Sequence, residues 1–315
     1  MKRLDDASFV AALRARATGA RSEYKAFYST FLGGLTVDPH HMIVPLDDHM
    51  VHRGDAVFEA VKFLNRKVFA LDRHFERLEQ SARALDIQLP LKRAELREVV
   101  IQTVRASGLE AGLIRLFVSR GPGGFTTNPY ESTGAEVYCA VTKLAPPKTE
   151  AYQQGVRVGL SGVAVKDGFW ARVKSCNYLP NVLMKKEAVD RGFDFVVGRD
   201  ENGFLTESST ENFAIIDDEG RLVLPPFERI LRGVTAVRAM ELMPDRSLNR
   251  LFTFADIQKS RGAVMLGTTL DVLPVRSFQM DDGVVHEFSD LAPEVRELMK
   301  AFAADVTSGP LLELV

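Results

Sequence analysis

Four short polar motifs in this 315-residue chain combine residues that could do chemistry with turns that could hold a ligand. They are Lys174-Ser-Cys-Asn-Tyr178, Glu207 with the run up to Phe213, Gly233-Val-Thr235 and Gly267-Thr-Thr269. Three of them fall at predicted strand ends or helix starts, where ligands are often held. A helix that begins at Gly233 would present free N–H groups and a threonine hydroxyl, which suits a phosphate.

Each motif alone also has an ordinary structural interpretation. Lys174 fits a solvated surface lysine, Glu207 fits a surface carboxylate, and the threonines fit helix or turn caps. Composition does not choose between these interpretations, so the order and spacing of the motifs must decide.

Other chemistries lack their motifs. The sequence contains no Walker phosphate loop, dinucleotide-type glycine fingerprint, His-Glu-x-x-His, Cys-x-x-Cys or Gly-x-Ser-x-Gly. The six histidines are scattered apart from His40-His41, so no metal site is expected. A net charge of −2 with interleaved signs gives no reason to expect nucleic acid or an anionic membrane as partner.

The cysteine content and the lack of long apolar runs predict a cytoplasmic protein. The two cysteines, Cys139 and Cys176, make no disulfide framework and fit a reducing compartment. No apolar run follows the first charged residues, so no signal peptide is expected. No stretch reaches the roughly 18 apolar residues that a membrane span needs.

The elements that must position the motifs suggest two domains. The prolines in Lys143-Leu-Ala-Pro-Pro-Lys-Thr-Glu150 mark a linker, which we place at 145–150 between domains 1–144 and 151–315. Strand pairs with few helices between them, such as 56–63 with 67–71, favour an α+β fold.

Helices are predicted where apolar residues recur at helical spacing. Phe75, Leu78, Ala82 and Leu85 define one helix, with Asp72 as its N-cap. Arg77 lies off this apolar stripe, so its charge need not be buried. In the second half, a helix is expected from Pro180 to Gly192, beside hairpins across 202–203 and 217–220 and a strand at 263–266.

In this order the motifs resemble those of the class IV, fold-type IV family of pyridoxal 5′-phosphate (PLP) enzymes. That family includes the branched-chain and D-amino acid aminotransferases and aminodeoxychorismate lyase. The resemblance adds His52-Arg-Gly-Asp-Ala-Val-Phe-Glu59 and the helix bearing Arg77, and it spans roughly 46–275. It implies a smaller N-terminal α/β sandwich domain and a larger C-terminal β-barrel-like domain with helices that carries the cofactor lysine.

The resemblance also implies roles for residues around the cofactor. Lys174 matches the Schiff-base lysine, whose amine must be neutral to attack an aldehyde. Glu207 matches the carboxylate that keeps the pyridine nitrogen protonated, so that the ring accepts electrons. Tyr178 resembles the phenol that contacts the O3′ atom. The phosphate would be bound by Arg77, Val234, Thr235, Thr268 and Thr269, although Arg77 also fits a solvated helix arginine.

The resemblance favours transamination and leaves the substrate open. Glu59 matches the transaminases, since the lyases tend to have Thr there. Phe58, Lys62 and Arg120 are candidate substrate contacts; Lys62 either binds a carboxylate or faces water. The loop 122–129 departs from the family's D-amino acid and branched-chain patterns. The alternatives are aminodeoxychorismate lyase on the same scaffold and a non-catalytic relic, which would be expected to lack Lys174 or Glu207.

These observations together predict an aminotransferase that moves an amino group between an amino acid and a 2-keto acid by a ping-pong mechanism. The resemblance further implies a homodimer in which a loop from the partner completes each site. The amino acid and its enantiomer are not named by the sequence.

Overall fold

The computed structural model describes residues 1, 3–16, 18–166 and 168–315. The chain divides into two compact units, described separately below. Unit 1 contains 1–145, 174–177 and 311–315, and unit 2 contains 146–173 and 178–310. This division differs from the predicted domains, because Lys174 and the last strand group with the N-terminal residues.

Unit 1 is built on one antiparallel sheet covered by two helices. Its elements are α1 (Asp6–Arg16), β1 (Tyr24–Ser29), β2 (Gly34–Thr36), α2 (His49–Arg53), β3 (Ala56–Leu64), β4 (Lys67–Phe69), α3 (Leu71–Ala84), α4 (Arg93–Ser107), β5 (Gly112–Ser119), β6 (Glu136–Lys143) and, from the far end of the chain, β16 (Leu312–Leu314). Short 3-10 helices cover Gly19–Glu23, Pro39–His41 and Pro129–Glu131. The strand order is β16-β4-β3-β5-β6-β1-β2, with α3 against β3 and α4 against β1 and β6.

The long strands of this sheet follow from their apolar sequences. In β3, nearly every side chain of Ala56–Leu64 is buried, on one face against α3. The register pairs Glu59 with Leu116 of β5, and successive residues of β3 point to opposite faces. Glu59 therefore faces the opposite side of the sheet from Phe58 and Lys62.

Helix α3 begins two residues earlier than the sequence predicts. Its N-cap is Ala70 in a left-handed conformation, without a capping side chain, and Asp72 lies in the first turn. The apolar stripe is as expected, since Phe75, Leu78 and Ala82 are buried. The same helix also buries the polar side chains of His74, Arg77 and Ser81.

Unit 2 is an α+β unit around a closed barrel. Its elements are α5 (Thr149–Gln154), β7 (Val156–Leu160), α6 (Gly168–Arg172), α7 (Leu179–Asp190), β8 (Phe195–Arg199), β9 (Leu205–Ser208), β10 (Asn212–Ile216), β11 (Leu222–Leu224), α8 (Val234–Leu242), β12 (Ser247–Asn249), α9 (Phe254–Lys259), β13 (Gly262–Gly267), β14 (Asp271–Gln279), β15 (Val285–Glu287) and α10 (Pro293–Ser308).

Six strands close this barrel in the order β10-β13-β14-β7-β8-β9, because β9 pairs back with β10. A cluster of buried apolar side chains that includes Phe213, Phe252 and Phe278 packs in its core. The predicted α+β fold with a barrel-like C-terminal unit is therefore confirmed. At one rim, the end of β9, the start of β10 and the end of β13 are neighbours.

Candidate active site

Lys174 lies in an extended segment that is hydrogen-bonded to β3. The Phe58 N–H donates to the Lys174 carbonyl at 3.0 Å, and the Cys176 N–H donates to the Ala56 carbonyl at 2.8 Å. The Lys174 N–H donates to Oγ of Ser81 on α3 at 3.2 Å. The lysine is only 8% exposed, and its Nζ lies 4.6 Å from the centre of the Phe58 ring. Lys174 is thus a buried lysine whose backbone is anchored by hydrogen bonds, and it is not a surface lysine.

A buried charge cluster lies between β3 and α3, in the same unit as Lys174. Nε and Nη2 of Arg77 donate to the two carboxylate oxygens of Glu59 at 2.8 and 2.7 Å. Nδ1 of His74 lies 2.7 Å from Oε2 of the same carboxylate. Arg77 is 9% exposed, so the interpretation of this residue as a solvated helix arginine is wrong. The charge of Arg77 is tolerated in the core because the Glu59 carboxylate neutralises it and accepts two hydrogen bonds from it.

The pKa shifts within this cluster favour a charged Glu59 and a neutral His74. Burial alone would raise the pKa of Glu59, but the Arg77 charge and the hydrogen bonds lower it to about 2. Burial lowers the pKa of His74, although the Glu59 carboxylate opposes this. Because a carboxylate only accepts hydrogen bonds, neutral His74 donates through Nδ1. Glu59 was predicted as a marker of transamination, and His74 was not singled out.

The structure separates the two basic candidates for substrate binding. Lys62 is 3% exposed, and its Nζ lies 5.7 Å from the Phe69 ring centre, so the water-facing interpretation is wrong. Nε and Nη2 of Arg120 donate to the Asp55 carboxylate at 2.6 and 3.1 Å, and its terminal nitrogens also donate to the carbonyls of Leu85 and Asp86. These contacts favour a structural role for Arg120 within unit 1 over the predicted substrate contact.

In unit 2, Glu207 lies at the barrel rim in a fixed orientation. Its Oε2 accepts hydrogen bonds from the Leu231 N–H at 3.1 Å and from Nδ2 of Asn212 at 3.2 Å. Nδ2 of Asn212 also donates to the Leu231 carbonyl at 2.9 Å. Asn212 therefore holds both Glu207 and the loop before α8, a contact that its position in the sequence does not reveal.

The start of α8 is tied to the same rim. Gly233 is the N-cap, and a Cβ built there would lie 2.0 Å from Oδ1 of Asn212, so the close approach requires glycine. The first amides of the helix, those of Val234 and Thr235, have no acceptor within the helix and suit an anion. Both residues are buried. Thr268 and Thr269 follow β13, which pairs with β10.

Lys166 is a further candidate near Glu207 that sequence reasoning missed. It lines a small cavity of about 20 Å³ together with Asn181 and Glu207. Its Nζ lies 4.8 Å from the centre of the Tyr178 ring, and Tyr178 itself precedes α7. Burial lowers the pKa of Lys166, and the Glu207 carboxylate partly offsets this. No motif surrounds Lys166, so only the folded chain identifies it.

The described residues contain neither a metal-binding cluster nor a membrane-spanning helix. Among them, no cluster of three or more His, Cys, Asp or Glu side chains is arranged to hold a metal ion. Within that same part of the chain, no helix has the length and apolarity needed to cross a membrane.

The family pattern described as Amino-transferase class IV matches residues 56–278, which is more than half of the chain. The chain belongs to the class IV aminotransferases. The resemblance drawn from its motifs is confirmed, and the protein is a PLP-dependent transferase as that family is.

Individual relatives carry different substrate names. A D-amino-acid transaminase, chloroplastic, from Arabidopsis thaliana is 33% identical over 297 residues, covering 91% of this chain and 78% of the relative. A putative branched-chain-amino-acid aminotransferase from Methanocaldococcus jannaschii is 30% identical over 276 residues, covering 86% and 94%. Membership of the class IV aminotransferases therefore does not select a substrate.

Solved structures support the fold. The branched-chain amino acid aminotransferase from Escherichia coli superposes with a TM-score of 0.81 at 23% identity, over 92% of this chain and 98% of that one. A hypothetical aminotransferase from Mycobacterium tuberculosis, solved in its PLP-bound form, gives a TM-score of 0.74 at 22% identity, over 90% and 99%.

The residues of each unit fit the groups of PLP. Unit 1 offers a buried amine on Lys174 and a guanidinium on Arg77 that Glu59 holds in place. Unit 2 offers an oriented carboxylate on Glu207 and the buried amides at the start of α8. An amine, a carboxylate and anion-binding N–H groups are the chemistry that an aldehyde, a pyridine nitrogen and a phosphate require.

Proposed function

We propose that this class IV aminotransferase moves an amino group between an amino acid and a 2-keto acid in a ping-pong reaction that depends on Lys174. The observation that carries the proposal is the buried Lys174 amine, held by backbone hydrogen bonds to β3 and α3. When bound, PLP supplies an electron-accepting ring that stabilises the charge left on the amino acid's α-carbon.

Lys174 is proposed to have two tasks. Its uncharged amine binds the cofactor's aldehyde carbon, and its removal from water favours that uncharged form. Once released by the substrate, the same amine is positioned to move the proton from the α-carbon to the C4′ atom. The Phe58 ring beneath Nζ and the anchored Lys174 backbone restrict where the amine can reach.

Glu207 is proposed to hold the proton on the pyridine nitrogen. Two donors, the Leu231 N–H and the Asn212 side-chain amide, fix its Oε2. A carboxylate with a fixed orientation stabilises an adjacent N–H cation without reorganising during the reaction. Tyr178 is proposed to contact the O3′ atom.

The phosphate is proposed to bind to Arg77, the amides of Val234 and Thr235, and the hydroxyl groups of Thr235 and Thr268, with Thr269 beside them. Arg77 supplies the charge, and the first turn of α8 supplies aligned N–H groups. Both kinds of donor are buried, which strengthens their interaction with an anion.

Phe58 and Lys62 remain the proposed substrate contacts. Lys62 is a buried cation that lies on the same face of β3 as Phe58, so it suits the α-carboxylate of an amino acid. The relatives carry both D-amino acid and branched-chain names, and the proposal extends to either class.

The test measures pyruvate and amino transfer separately. Purified protein with PLP is given each of a panel of L- and D-amino acids with 2-oxoglutarate, and the new amino acid is quantified. Transfer that is lost in Lys174→Ala supports the proposal. Pyruvate released from aminodeoxychorismate without any keto acid would favour the lyase instead.

We also propose that the protein is a cytoplasmic homodimer. Both cysteines are free thiols, which suits a reducing compartment. The β1–β2 hairpin exposes the apolar side chains of Phe31, Leu32, Leu35 and Val37, a surface that a second copy would cover. Sedimentation of a fully active species at 35.0 kDa would contradict the dimer.

A further inference from the structure

The polar side chains that α3 buries occupy one face of the helix. His74, Arg77 and Ser81 are spaced at i, i+3 and i+7, which places them in a row along the helix. This row runs beside the apolar stripe and meets Glu59 of β3 and the backbone of Lys174. A row of polar groups in a core is costly unless its members are hydrogen-bonded and its charges are paired.

The hydrogen bonds in this row form a chain that ends at Arg77. Nδ1 of His74 donates to Oε2 of Glu59, and that same oxygen accepts from Nη2 of Arg77, both at 2.7 Å. Oε1 of Glu59 accepts from Nε of Arg77 at 2.8 Å. Two parallel hydrogen bonds fix the plane of the guanidinium group, and the histidine fixes the rotation of the carboxylate.

We infer that Glu59 and His74 are positioning residues that hold the Arg77 guanidinium in the orientation in which it binds the phosphate of the cofactor. This inference rests on the proposed function, because it takes Arg77 to be a phosphate ligand. It goes beyond the proposed function because it gives Glu59 and His74 a role in the strength of phosphate binding. Neither residue is itself a proposed ligand of the phosphate or the substrate.

The charge states of Glu59 and His74 suit this positioning role. Glu59 is fully buried, and Arg77 on α3 is the cation that compensates it. The pKa of Glu59 is held at about 2 and burial lowers that of His74, so the carboxylate stays charged and the histidine stays a neutral donor near neutral pH.

The experiment compares two ligands that differ only in the phosphate. Isothermal calorimetry on the full-length apo-protein gives the dissociation constants of pyridoxamine and of pyridoxamine 5′-phosphate. The ratio of the first constant to the second measures how much the phosphate strengthens binding. Glu59→Gln should lower this ratio by about tenfold or more, since hydrogen bonds to charged groups have that effect. Pyridoxamine itself should bind with unchanged affinity.

Two histidine variants test the hydrogen-bond chain from His74 to Arg77 even if Glu59→Gln fails to fold. His74→Asn keeps a donor near the Nδ1 position and should retain the wild-type ratio within about twofold, whereas His74→Leu removes the donor and should lower it about fivefold. Thr103→Val is the control, because Thr103 is a buried polar residue of unit 1 whose hydroxyl donates to the Val99 carbonyl of its own helix, α4. It should leave the ratio unchanged.

The outcomes separate the inference from the proposed function. A wild-type ratio preserved in both Glu59→Gln and His74→Leu overturns the positioning role and leaves the proposed function intact. Equal losses in His74→Asn and His74→Leu also overturn it, because they indicate packing and not the donor. Wild-type protein that binds neither ligand contradicts the proposed function, and with it the inference.

Discussion

The side-chain amide of Asn212 donates to Oε2 of Glu207 at 3.2 Å, at the pair of residues where β9 meets β10 and closes the barrel. The same amide group bonds the Leu231 carbonyl, 19 residues further along the chain. One asparagine at the point of barrel closure therefore links the proposed cofactor carboxylate to the loop before α8.

Replacing the Glu207 carboxylate should slow the reaction without abolishing cofactor binding. Glu207→Gln retains the size and one acceptor oxygen but removes the charge that stabilises a protonated pyridine nitrogen. We expect the rate of a single half-reaction to fall by about 100-fold, as for loss of a pre-oriented electrostatic contact. Stopped-flow absorbance measures this rate. Glu201→Gln changes an exposed carboxylate of the same unit and should react at the wild-type rate.

Gly233→Ala should disturb the site through Asn212. The added Cβ would lie 2.0 Å from Oδ1 of Asn212, so the amide must move away from Glu207 and Leu231. We expect a loss of about 1–3 kcal/mol in the free energy of unfolding, measured with urea, and weaker PLP binding. Gly162→Ala is the matched control in unit 2, because the nearest atom to its added Cβ would be Oε1 of Glu187 at 3.7 Å. Equal stability of the two variants would contradict this account of the rim.

Lys62 and Arg120 should respond differently to the same substitution. Lys62→Met removes a buried cation that is proposed to bind the substrate carboxylate, so KM for the amino acid should rise about tenfold or more. Arg120→Met breaks the bidentate contact with Asp55 and should lower the melting temperature with little change in KM. Steady-state kinetics and thermal melts on both variants decide the assignment, and the reverse pattern would favour Arg120 as the substrate contact.

Stability should decrease as the pH falls below about 6.5, in part because of His74. Burial lowers its folded-state pKa from 6.5, so below that pH the unfolded chain takes up a proton that the folded chain does not. Glu59, with a folded pKa of about 2 against 4.5 unfolded, adds a further loss between those values. His74→Asn, which cannot titrate there, should show a flatter dependence of unfolding free energy between pH 7 and 5. Parallel curves for the two proteins would exclude a His74 contribution.

The sequence predicts the site best where function depends on the order of residues along the chain. Lys174, Glu207 and Gly233 stand in motifs whose order identified the family, and the strands around them are strongly apolar. The hairpin of β3 and β4 and the start of α8 were predicted for the same reason.

Residues whose roles depend on contacts through space could not be predicted in this way. His74 lies 15 residues from Glu59 in sequence, and nothing in its helix indicates that it faces a buried carboxylate. Arg120 occupies a plausible substrate position, yet the fold brings the Leu85 and Asp86 carbonyls to its guanidinium. Likewise, β16 joins the sheet of unit 1 from the far end of the chain, which local periodicity cannot indicate.

The central claim is that the Lys174 amine binds the cofactor and then takes part in each half-reaction. Absorption spectroscopy tests this claim most directly. The purified protein is saturated with PLP, its visible spectrum is recorded, and L- and D-amino acids are added singly without any keto acid. The account predicts a visible absorption band that a subset of the amino acids bleaches, that a 2-keto acid restores, and that is missing from Lys174→Ala. A band of the same position and behaviour in Lys174→Ala, or none in the wild type with excess PLP, would contradict the account.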